Sequence, residues 1–555
     1  MYQDRKIWVG KSENKNVYIY PKMANRHGMI AGATGTGKTI TLKVLAESFS
    51  DCGVPVFLAD VKGDLAGMCQ PGTETEDMTK RLERFGLREA GFDFHSYPTT
   101  FWDVYGEKGI PLRTTISEMG PLLLSRILGL NEIQSDILTI IFKIADDEGL
   151  LLLDTKDLKA MIQYVGDHAK EYTLQYGNIS KQSLGAIVRA VVALESEGGE
   201  EFFGEPALSI TDWFTTNADG KGMIHVLDCQ KLIQKPTMYA TFLLWMMSEL
   251  FETLPELGDA DRPRMVFFFD EAHMLFDSAP KVLLDKIEQV VKLIRSKGVG
   301  IYFITQNPQD IPDGVLAQLG NKIQHALRAY TPAEQKKVKA AAQSYRENPD
   351  FKTYDAIQEL AVGEALVSVL DEKGIPTVVE RCRILPPQSQ MGAIENTFRD
   401  SQVKGNLLYV RYAQMMDRES AYEVLLKKGE EAERAEAERK RQEAEAKAQA
   451  AAEKQRLKEE AAAEKQRQKE AAAAEKQRQK EEAAAEKQRQ KEAEKKGKEL
   501  KSAVNSVGNS AAGTIGREVG NAVGQTIGGS FGKKLGGNLG ASLGRGLFST
   551  LLKMK

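Results

Sequence analysis

The chain has 555 residues, 42% of them hydrophobic, so it can bury a large core, and its net charge of −3 gives no overall attraction to nucleic acid. Its four scattered cysteines lack both zinc-ligand spacing and partner histidines, which argues against a zinc site or a disulfide framework and favours a reducing compartment. The first residues lack the apolar stretch of a signal peptide, and no uncharged apolar run reaches about 18 residues, so we expect a cytoplasmic protein.

Strand-like and helix-like segments alternate over residues 1–390, a pattern typical of an α/β domain with a mostly parallel sheet. Between about residues 110 and 215 the apolar spacing is helical only, which predicts an all-helical insertion. Residues 391–428 are interpreted as a helical connector. The predicted strands are 17–20, 27–31, 54–59, 223–227, 265–269, 301–305 and 365–369.

A complete phosphate-binding loop, G-x-x-x-x-G-K-[ST], lies between the second predicted strand and a helical run. Its residues are Gly32, Ala33, Thr34, Gly35, Thr36, Gly37, Lys38 and Thr39. The glycines allow successive N–H groups to turn toward phosphate oxygens, and the N-terminus of the following helix adds a positive dipole end. Lys38 supplies a charge for the β- and γ-phosphates, and the Thr39 hydroxyl is placed to ligate Mg²⁺. The loop therefore predicts a protein that binds ATP and Mg²⁺.

An acidic pair, Asp270 and Glu271, follows the apolar strand predicted at 265–269. Asp270 would hold Mg²⁺ through water, and Glu271 would polarise the attacking water as a general base. Two acids after a strand can also serve as an ordinary helix N-cap. Beside the phosphate loop, the pair favours an enzyme that activates water over a small-molecule phosphotransferase, which has to exclude water.

Two further candidates flank the strand predicted at 301–305. Gln306 follows this strand, and a polar residue at such a tip can contact both the γ-phosphate and the attacking water. Gln306 is therefore the predicted sensor. Arg295 and Lys297 precede the strand at the end of a helical run, where they either complement the helix dipole or supply an arginine finger.

Four segments together resemble the HerA and FtsK superfamily of ring-forming DNA-pumping ATPases, and most closely the bacterial HerA-like proteins. The segments are the phosphate loop, Leu-Ala-Asp-Val-Lys-Gly-Asp-Leu at 58–65, Phe-Asp-Glu-Ala-His at 269–273 and Ile-Thr-Gln-Asn-Pro at 304–308. The resemblance covers about residues 15 to 390. It implies a RecA-like fold, a homo-hexamer with ATP at subunit interfaces, double-stranded DNA as a partner, and an arginine finger that reaches the neighbouring site.

The resemblance also assigns roles to residues outside the phosphate loop. Arg295 matches the arginine that family members carry before the Thr-Gln strand, which implies a role in trans, and Arg381 or Arg383 is a weaker finger candidate. Residues 60–64 match the family's Asp-x-Lys-Gly-[DE] signature, so their carboxylates would border the metal or the pore; equally, Asp64 can cap the following helix.

The composition changes near residue 425. Glu-Lys-Gln-Arg recurs at residues 453, 464, 475 and 486, a spacing of eleven that keeps the alanine clusters nearly on one face of a helix. Residues 429–500 are therefore predicted to be either a hendecad coiled coil or spacer, or a solvated single helix or disordered charged tail. In residues 501–555 glycine falls at every fourth position from Gly516 to Gly544, which favours self-association or a membrane-surface contact over flexible disorder.

Two hypotheses of different classes follow from these observations. The first is an ATP hydrolase of the HerA-like class that works as an oligomeric ring motor on double-stranded DNA. The alternative is an ATP-gated assembly scaffold, without DNA translocation, whose tail recruits a protein partner or a membrane surface. Stimulation of ATP turnover by DNA discriminates between them.

Overall fold

The structure is a computed structural model, and it describes residues 1–13, 15–258, 260–278 and 281–494. The strands of the described residues are β1 Tyr2–Gln3, β2 Lys6–Lys11, β3 Asn16–Ile19, β4 Gly28–Ala31, β5 Val56–Asp60, β6 Thr99–Asp103, β7 Ile110–Pro111, β8 Ile224–Asp228, β9 Met265–Phe269, β10 Val299–Thr305, β11 Asn321–Gln324, β12 Glu364–Ser368 and β13 Glu380–Ile384.

The α-helices of the described residues lie between and after these strands. They are α1 Lys38–Asp51, α2 Glu76–Phe85, α3 Ile116–Ile127, α4 Glu132–Asp147, α5 Thr155–Asp167, α6 Ala169–Tyr176, α7 Lys181–Leu194, α8 Glu200–Phe202, α9 Pro236–Thr253, α10 Ala272–Ser278, α11 Lys281–Leu293, α12 Asp313–Leu316, α13 Pro332–Gln343, α14 Thr353–Glu359, α15 Asn396–Lys404, α16 Leu407–Tyr412 and α17 Ala421–Glu494.

All the strands belong to one sheet, in the order β1-β2-β13-β12-β11-β4-β10-β9-β5-β8-β6-β7, with β3 paired to β2. Neighbouring strands from β11 to β7 run parallel. On the other side of β11 the pairings to β12, β13, β2 and β1 are antiparallel. The predicted α/β class, a RecA-like domain with a mostly parallel sheet, is confirmed.

The central strands are those with continuous apolar runs. Every residue of β5, β9 and β10 is buried, as expected for parallel strands that are covered on both faces. Aromatic side chains fill the space between these strands and α1: the ring centroids of Phe49 on α1 and Tyr302 on β10 lie 6.1 Å apart. This packing fixes α1 against the sheet.

Four strands of three residues or more were not among the predicted ones: β2, β6, β11 and β13. The reason is clearest for β11, whose sequence Asn-Lys-Ile-Gln has little apolar character. It becomes a strand because β4 and β12 pair with it on either side, and because Asn321 donates hydrogen bonds to the carbonyl oxygens of Met23 and His27 at 3.1 and 3.0 Å. Such partners are distant in sequence and leave no local pattern.

The elements between β7 and β8 are all helices, in the stretch where the sequence predicts a helical insertion. Thr115 and Asn131 begin α3 and α4 with capping boxes, in which side chain and backbone satisfy each other's hydrogen bonds. Asp154 begins α5 in the same way. The helices of this stretch also pack on α9, through α3.

The chain divides into a compact unit, Met1–Arg439, and a second unit from Lys440 onward. Helix α17 begins in the first unit, where Val424 and Leu425 pack against the core. From Leu426 to Ala484 every side chain is exposed. Coiled-coil pairing of α17 stays a prediction, and the glycine row from Gly516 to Gly544 lies outside the described residues. Of the helices that the structure describes, none combines the length and apolar character needed to span a bilayer.

Candidate nucleotide-binding site

The candidate site lies at the edge where four parallel strands end. Thr305 of β10 is in register with Ala31 of β4, and Phe269 of β9 is in register with Phe303 of β10 and Ala59 of β5. The residues that follow these strand ends therefore meet at one edge of the sheet. This arrangement brings the phosphate loop, the acidic pair, Gln306 and the segment after β5 together, although they are far apart in the chain.

The phosphate loop has the backbone conformation that its glycines permit. Gly32, Gly35 and Gly37 have φ angles of 150°, 79° and 114°, which residues with a Cβ rarely adopt. A Cβ placed on Gly32 would lie only 2.5 Å from the Cβ of His325, so this position also requires glycine for space. Helix α1 begins at Lys38, directly after the loop, and its first N–H groups point toward the cradle.

The Lys38 side chain folds back across the loop. Its Nζ donates hydrogen bonds to the carbonyl oxygens of Gly32 and Ala33, at 2.7 and 3.1 Å. Burial lowers the pKa of Lys38, and the nearby charge of Glu271 opposes this shift. The ammonium group is therefore held inside the cradle, close to the acidic pair.

Asp270, directly after β9, is 4% exposed, and its Oδ2 has no hydrogen-bond partner among the described residues. Burial, with the adjacent charge of Glu271, raises its pKa to about 6. An unsatisfied buried carboxylate oxygen suits a magnesium ion bound with its waters, and the Thr39 hydroxyl, on the first turn of α1, is a second suitable oxygen. No cluster of three histidine, cysteine or carboxylate side chains in the described part of the chain forms a closed metal site. The residues present thus fit Mg²⁺ carried in with phosphate oxygens.

Glu271 is the most constrained residue of the site. It is 5% exposed and has a φ angle of 47°, which is uncommon outside glycine. Its carboxylate forms an ion pair with Lys62, and its Oε2 accepts a hydrogen bond from Gln306 Nε2 at 3.4 Å and lies 3.2 Å from His273 Nδ1. Burial alone would raise the pKa of Glu271, but the hydrogen bond and charge of Lys62 outweigh it and lower that pKa. Glu271 is thus held as a carboxylate.

Lys62 stands on a braced turn after β5. The carboxylate of Asp60 accepts hydrogen bonds from the backbone N–H groups of Gly63 and Leu65, at 2.7 and 3.1 Å. Gln230 donates to the carbonyl oxygen of Lys62 at 2.7 Å. Burial, with the nearby charge of Asp64, raises the pKa of Asp60 to about 7. The sequence identified Lys62 only as part of a signature, and nothing in its local pattern indicated the contact with Glu271.

Asp64 does not cap the next helical turn. The turn of 3₁₀ helix at Ala66–Cys69 has Leu65 at its N-cap position and no side-chain cap. The Oδ1 atom of Asp64 is buried without a hydrogen-bond partner among the described residues. The capping hypothesis is therefore wrong, because the carboxylate that supports this turn is that of Asp60.

Arg295 is not brought to the site of its own chain. It precedes β10, at the amino end of that strand, whereas Gln306 follows the carboxyl end; seven residues of strand, roughly 20 Å, lie between. Its side chain is exposed, and its carbonyl oxygen accepts a hydrogen bond from Asn25 at 3.4 Å. Lys297 is buried and donates to the carbonyl oxygen of Leu254 at a site remote from the loop. The role of Arg295 in trans stays a prediction.

The weaker finger candidates, Arg381 and Arg383, lie on β13. Both pair with Glu364, with N–O distances of 2.9 and 3.2 Å. The neighbouring Gly363 donates its N–H to the carbonyl oxygen of Thr36, at 3.0 Å, so these arginines lie close to the phosphate loop of their own chain. Their charge is partly satisfied within the subunit.

His325 was not identified from the sequence. It lies just after β11 and is fully buried, with Nε2 2.8 Å from Thr41 Oγ1 and Nδ1 2.9 Å from the carbonyl oxygen of Glu364. Burial lowers its pKa to about 4, so the ring is neutral near pH 7. The imidazole thus links the first turn of α1 to β12. Only the pairing of strands distant in sequence brings these groups together.

The sequence model of the helicase HerA-like C-terminal family matches residues 6–462. The chain belongs to this family. The resemblance inferred from the four motifs is confirmed.

The HerA-like chain is 28% identical over 154 residues to a probable helicase of Methanocaldococcus jannaschii. The match covers 26% of this chain and 28% of the helicase, so the chain spans less than a third of that relative's length.

Among solved structures, the HerA-like chain is similar to the plasmid coupling protein TrwB in complex with a non-hydrolysable ATP analogue, with 14% identity and a TM-score of 0.47. That match covers 71% of this chain and 92% of TrwB. VirB4 of Thermoanaerobacter pseudethanolicus is 17% identical with a TM-score of 0.43, over 69% of this chain and 97% of VirB4.

Proposed function

We propose that this protein hydrolyses ATP and uses the energy to move along double-stranded DNA as a homo-hexameric ring. Lys38 and the phosphate-loop N–H groups would hold the β- and γ-phosphates, with Mg²⁺ held by Thr39 and, through water, by Asp270. Glu271 would orient and deprotonate the attacking water, and Gln306 would contact both this water and the γ-phosphate. The bound magnesium would neutralise charge on the phosphate oxygens.

The observation that carries the hydrolase proposal is the setting of Glu271. It is a buried carboxylate kept ionised by Lys62, it adjoins Asp270, and it faces the cradle in which Lys38 lies. A base in this position can act on water opposite the γ-phosphate. An acidic pair that merely capped a helix would not require the strained φ angle of 47°.

Membership of the HerA-like family supports the DNA-motor part of the proposal. A net charge of −3 means that DNA contacts would come from a local patch or an assembled pore. Arg295 is exposed and lies far from the site of its own chain. In a ring it would stabilise charge on the γ-phosphate of that neighbour.

The test measures phosphate release from ATP by the full chain, with and without duplex DNA at low salt. We expect turnover that duplex DNA stimulates, and loss of most of this turnover in Glu271→Gln with nucleotide binding retained. Turnover of Glu271→Gln near that of the wild type would contradict the assignment of the base. Absence of stimulation by any DNA would contradict the motor.

A second candidate function has one observation in its favour. Helix α17 presents only exposed side chains from Leu426 to Ala484. An ATP-gated scaffold would use such a helix, with the segment beyond it, to recruit a protein partner or a membrane surface. In that case nucleotide would control assembly and DNA would have no effect.

A further inference from the structure

The ion pair between Lys62 and Glu271 places a cation beside the proposed base, and the charge of Lys62 also acts on Lys38 in the phosphate cradle. The Glu271 side chain is 5% exposed, whereas 43% of the Lys62 side chain is exposed. The Lys62 backbone is fixed by Gln230 and by the turn that Asp60 supports. The ammonium group can therefore move on its flexible stem while its anchor stays in place.

Lys62 interacts electrostatically with several charged groups of the site. Its charge acts on Lys38 and Asp270 as well as on Glu271, and Asp64 acts on Lys62 in turn. A γ-phosphate seated at Lys38 would come within reach of this ammonium group. It would carry more negative charge than a single carboxylate and so compete for Lys62.

We propose that Lys62 exchanges partners, from the carboxylate of Glu271 to the γ-phosphate of bound nucleotide, and thereby releases Glu271 to act on water only when a triphosphate is present. The inference rests on the proposed function and adds a regulation of the same site. While paired with Lys62, one oxygen of Glu271 is occupied by the ammonium group and the other accepts from Gln306. Transfer of Lys62 to phosphate would free a lone pair of the base and add a positive charge where the transition state is negative. Diphosphate offers no γ-phosphate, so the exchange would not occur.

The first experiment measures the affinities of the full chain for Mg²⁺-bound ADP and for a non-hydrolysable ATP analogue, in wild type, Lys62→Met and Lys62→Arg. We expect Lys62→Met to weaken binding of the analogue by about tenfold or more, the effect of losing one charged hydrogen bond, and to leave ADP affinity within about twofold. The turnover number should fall in Lys62→Met and recover in part in Lys62→Arg. Lys143→Met is the matched control, because Lys143 forms an ion pair with Asp147 on an exposed face of α4.

A double-mutant cycle tests the exchange itself. Glu271→Gln removes the carboxylate that competes for Lys62, so it should tighten binding of the ATP analogue by more in the wild-type background than in the Lys62→Met background. This coupling would not arise if Lys62 only supported the fold. Melting temperatures of each variant verify that the chain is folded.

Three outcomes would overturn the inference: an unchanged ratio of analogue to ADP affinity in Lys62→Met, a turnover number that rises in that variant, or additive effects in the cycle. The affinity measurements do not need turnover. A wild-type chain that binds the analogue but releases no phosphate would therefore contradict the proposed function while the partner exchange is judged separately.

Discussion

Gln306 Nε2 lies 3.4 Å from Glu271 Oε2, although the two residues are 35 positions apart in the chain. They are neighbours because β10 and β9 are adjacent parallel strands, with Phe303 in register with Phe269. Thr305 and Asn307 on either side of Gln306 are tied to Asp310, by hydrogen bonds of 2.9 and 3.0 Å. The backbone of Gln306 is therefore held in place. The hydrogen bond from the Gln306 carboxamide to Glu271 is long and weak, so a better acceptor can replace Glu271.

If Gln306 is the sensor, Gln306→Ala should lower the turnover number by about tenfold or more while the Michaelis constant for ATP changes little, because the carboxamide would position the base and the water more than it would bind nucleotide. Steady-state phosphate release as a function of ATP concentration measures both constants. Gln309→Ala, an exposed glutamine three residues on, is the control. A change confined to the Michaelis constant would mean that Gln306 serves binding and has no sensing role.

A finger role for Arg295 predicts complementation between two inactive variants. Arg295→Ala keeps an intact site but lacks the finger, and Glu271→Gln keeps the finger but lacks the base. A ring assembled from both should release phosphate faster than either alone, since some interfaces then combine an intact site with an intact finger. The measurement is turnover as a function of mixing ratio.

Lys292→Ala serves as the control for the finger test, because Lys292 lies near Arg295 and pairs with Glu288 on α11. It should leave turnover close to that of the wild type. If mixing gave no gain and Arg295→Ala lowered only the melting temperature, Arg295 would be a residue that complements its own helix end.

Ending the chain after Arg439, where the first compact unit ends, should separate motor from tail. Under the motor hypothesis the turnover number and its stimulation by DNA stay within about twofold, because every residue of the candidate site belongs to the first unit. A chain ending at residue 494 keeps α17 and isolates the effect of residues 495–555. Loss of ATP-dependent assembly in the shorter chain, measured by light scattering, would favour the scaffold.

Stability should fall with acidification because of buried histidines. His225 accepts a hydrogen bond from Trp102 at Nδ1, at 3.1 Å, and donates from Nε2 to the carbonyl oxygen of Trp213, at 3.0 Å. Burial lowers its pKa from 6.5 to about 4, and burial likewise lowers the pKa values of His27 and His325 to about 4. The unfolded chain therefore takes up protons below pH 6.5 that the folded chain does not.

The contribution of His225 to the free energy of unfolding is complete above pH 6.5, the pKa of histidine in the unfolded chain. Through this residue alone, the free energy of unfolding should fall by about 2 kcal/mol between pH 7.5 and pH 5. Urea unfolding followed by circular dichroism at several pH values measures the slope. His225→Gln can keep both hydrogen bonds without titrating. The dependence of its unfolding free energy on pH should therefore correspond to the uptake of about one proton fewer on unfolding in this range. An equal slope in the variant would contradict the assignment of a neutral buried imidazole.

Local sequence patterns were sufficient for the parts of the site that lie at strand ends. The phosphate loop follows β4, the acidic pair follows β9 and Gln306 follows β10, within one or two residues of the predicted strand boundaries. These parts were predictable because a buried parallel strand is a short apolar run, and the residue after it lies at the edge of the sheet formed by the carboxyl ends of the strands. The α/β class is readable for the same reason.

The polar strands, and the contacts that residues on or beside them form, were not predictable from local sequence patterns. Strand β11 and His325 depend on β4 and β12, and Lys62 meets Glu271 only because β5 and β9 are adjacent. Such neighbours are set by the order of strands in the sheet, which a local pattern does not encode.

The sequence by itself determined which motifs the chain carries: a glycine-rich phosphate loop, an acidic pair after a strand and a polar residue at a strand end, each written in a few contiguous residues because each needs only its own backbone to take shape. Only the tertiary structure decided how those motifs are restrained. It paired Glu271 with Lys62, set His325 against α1 and left Arg295 at the far edge of the sheet. The physical reason is that charge pairing and burial depend on distance in space, and strand order brings together residues that lie some 200 or more positions apart in the chain.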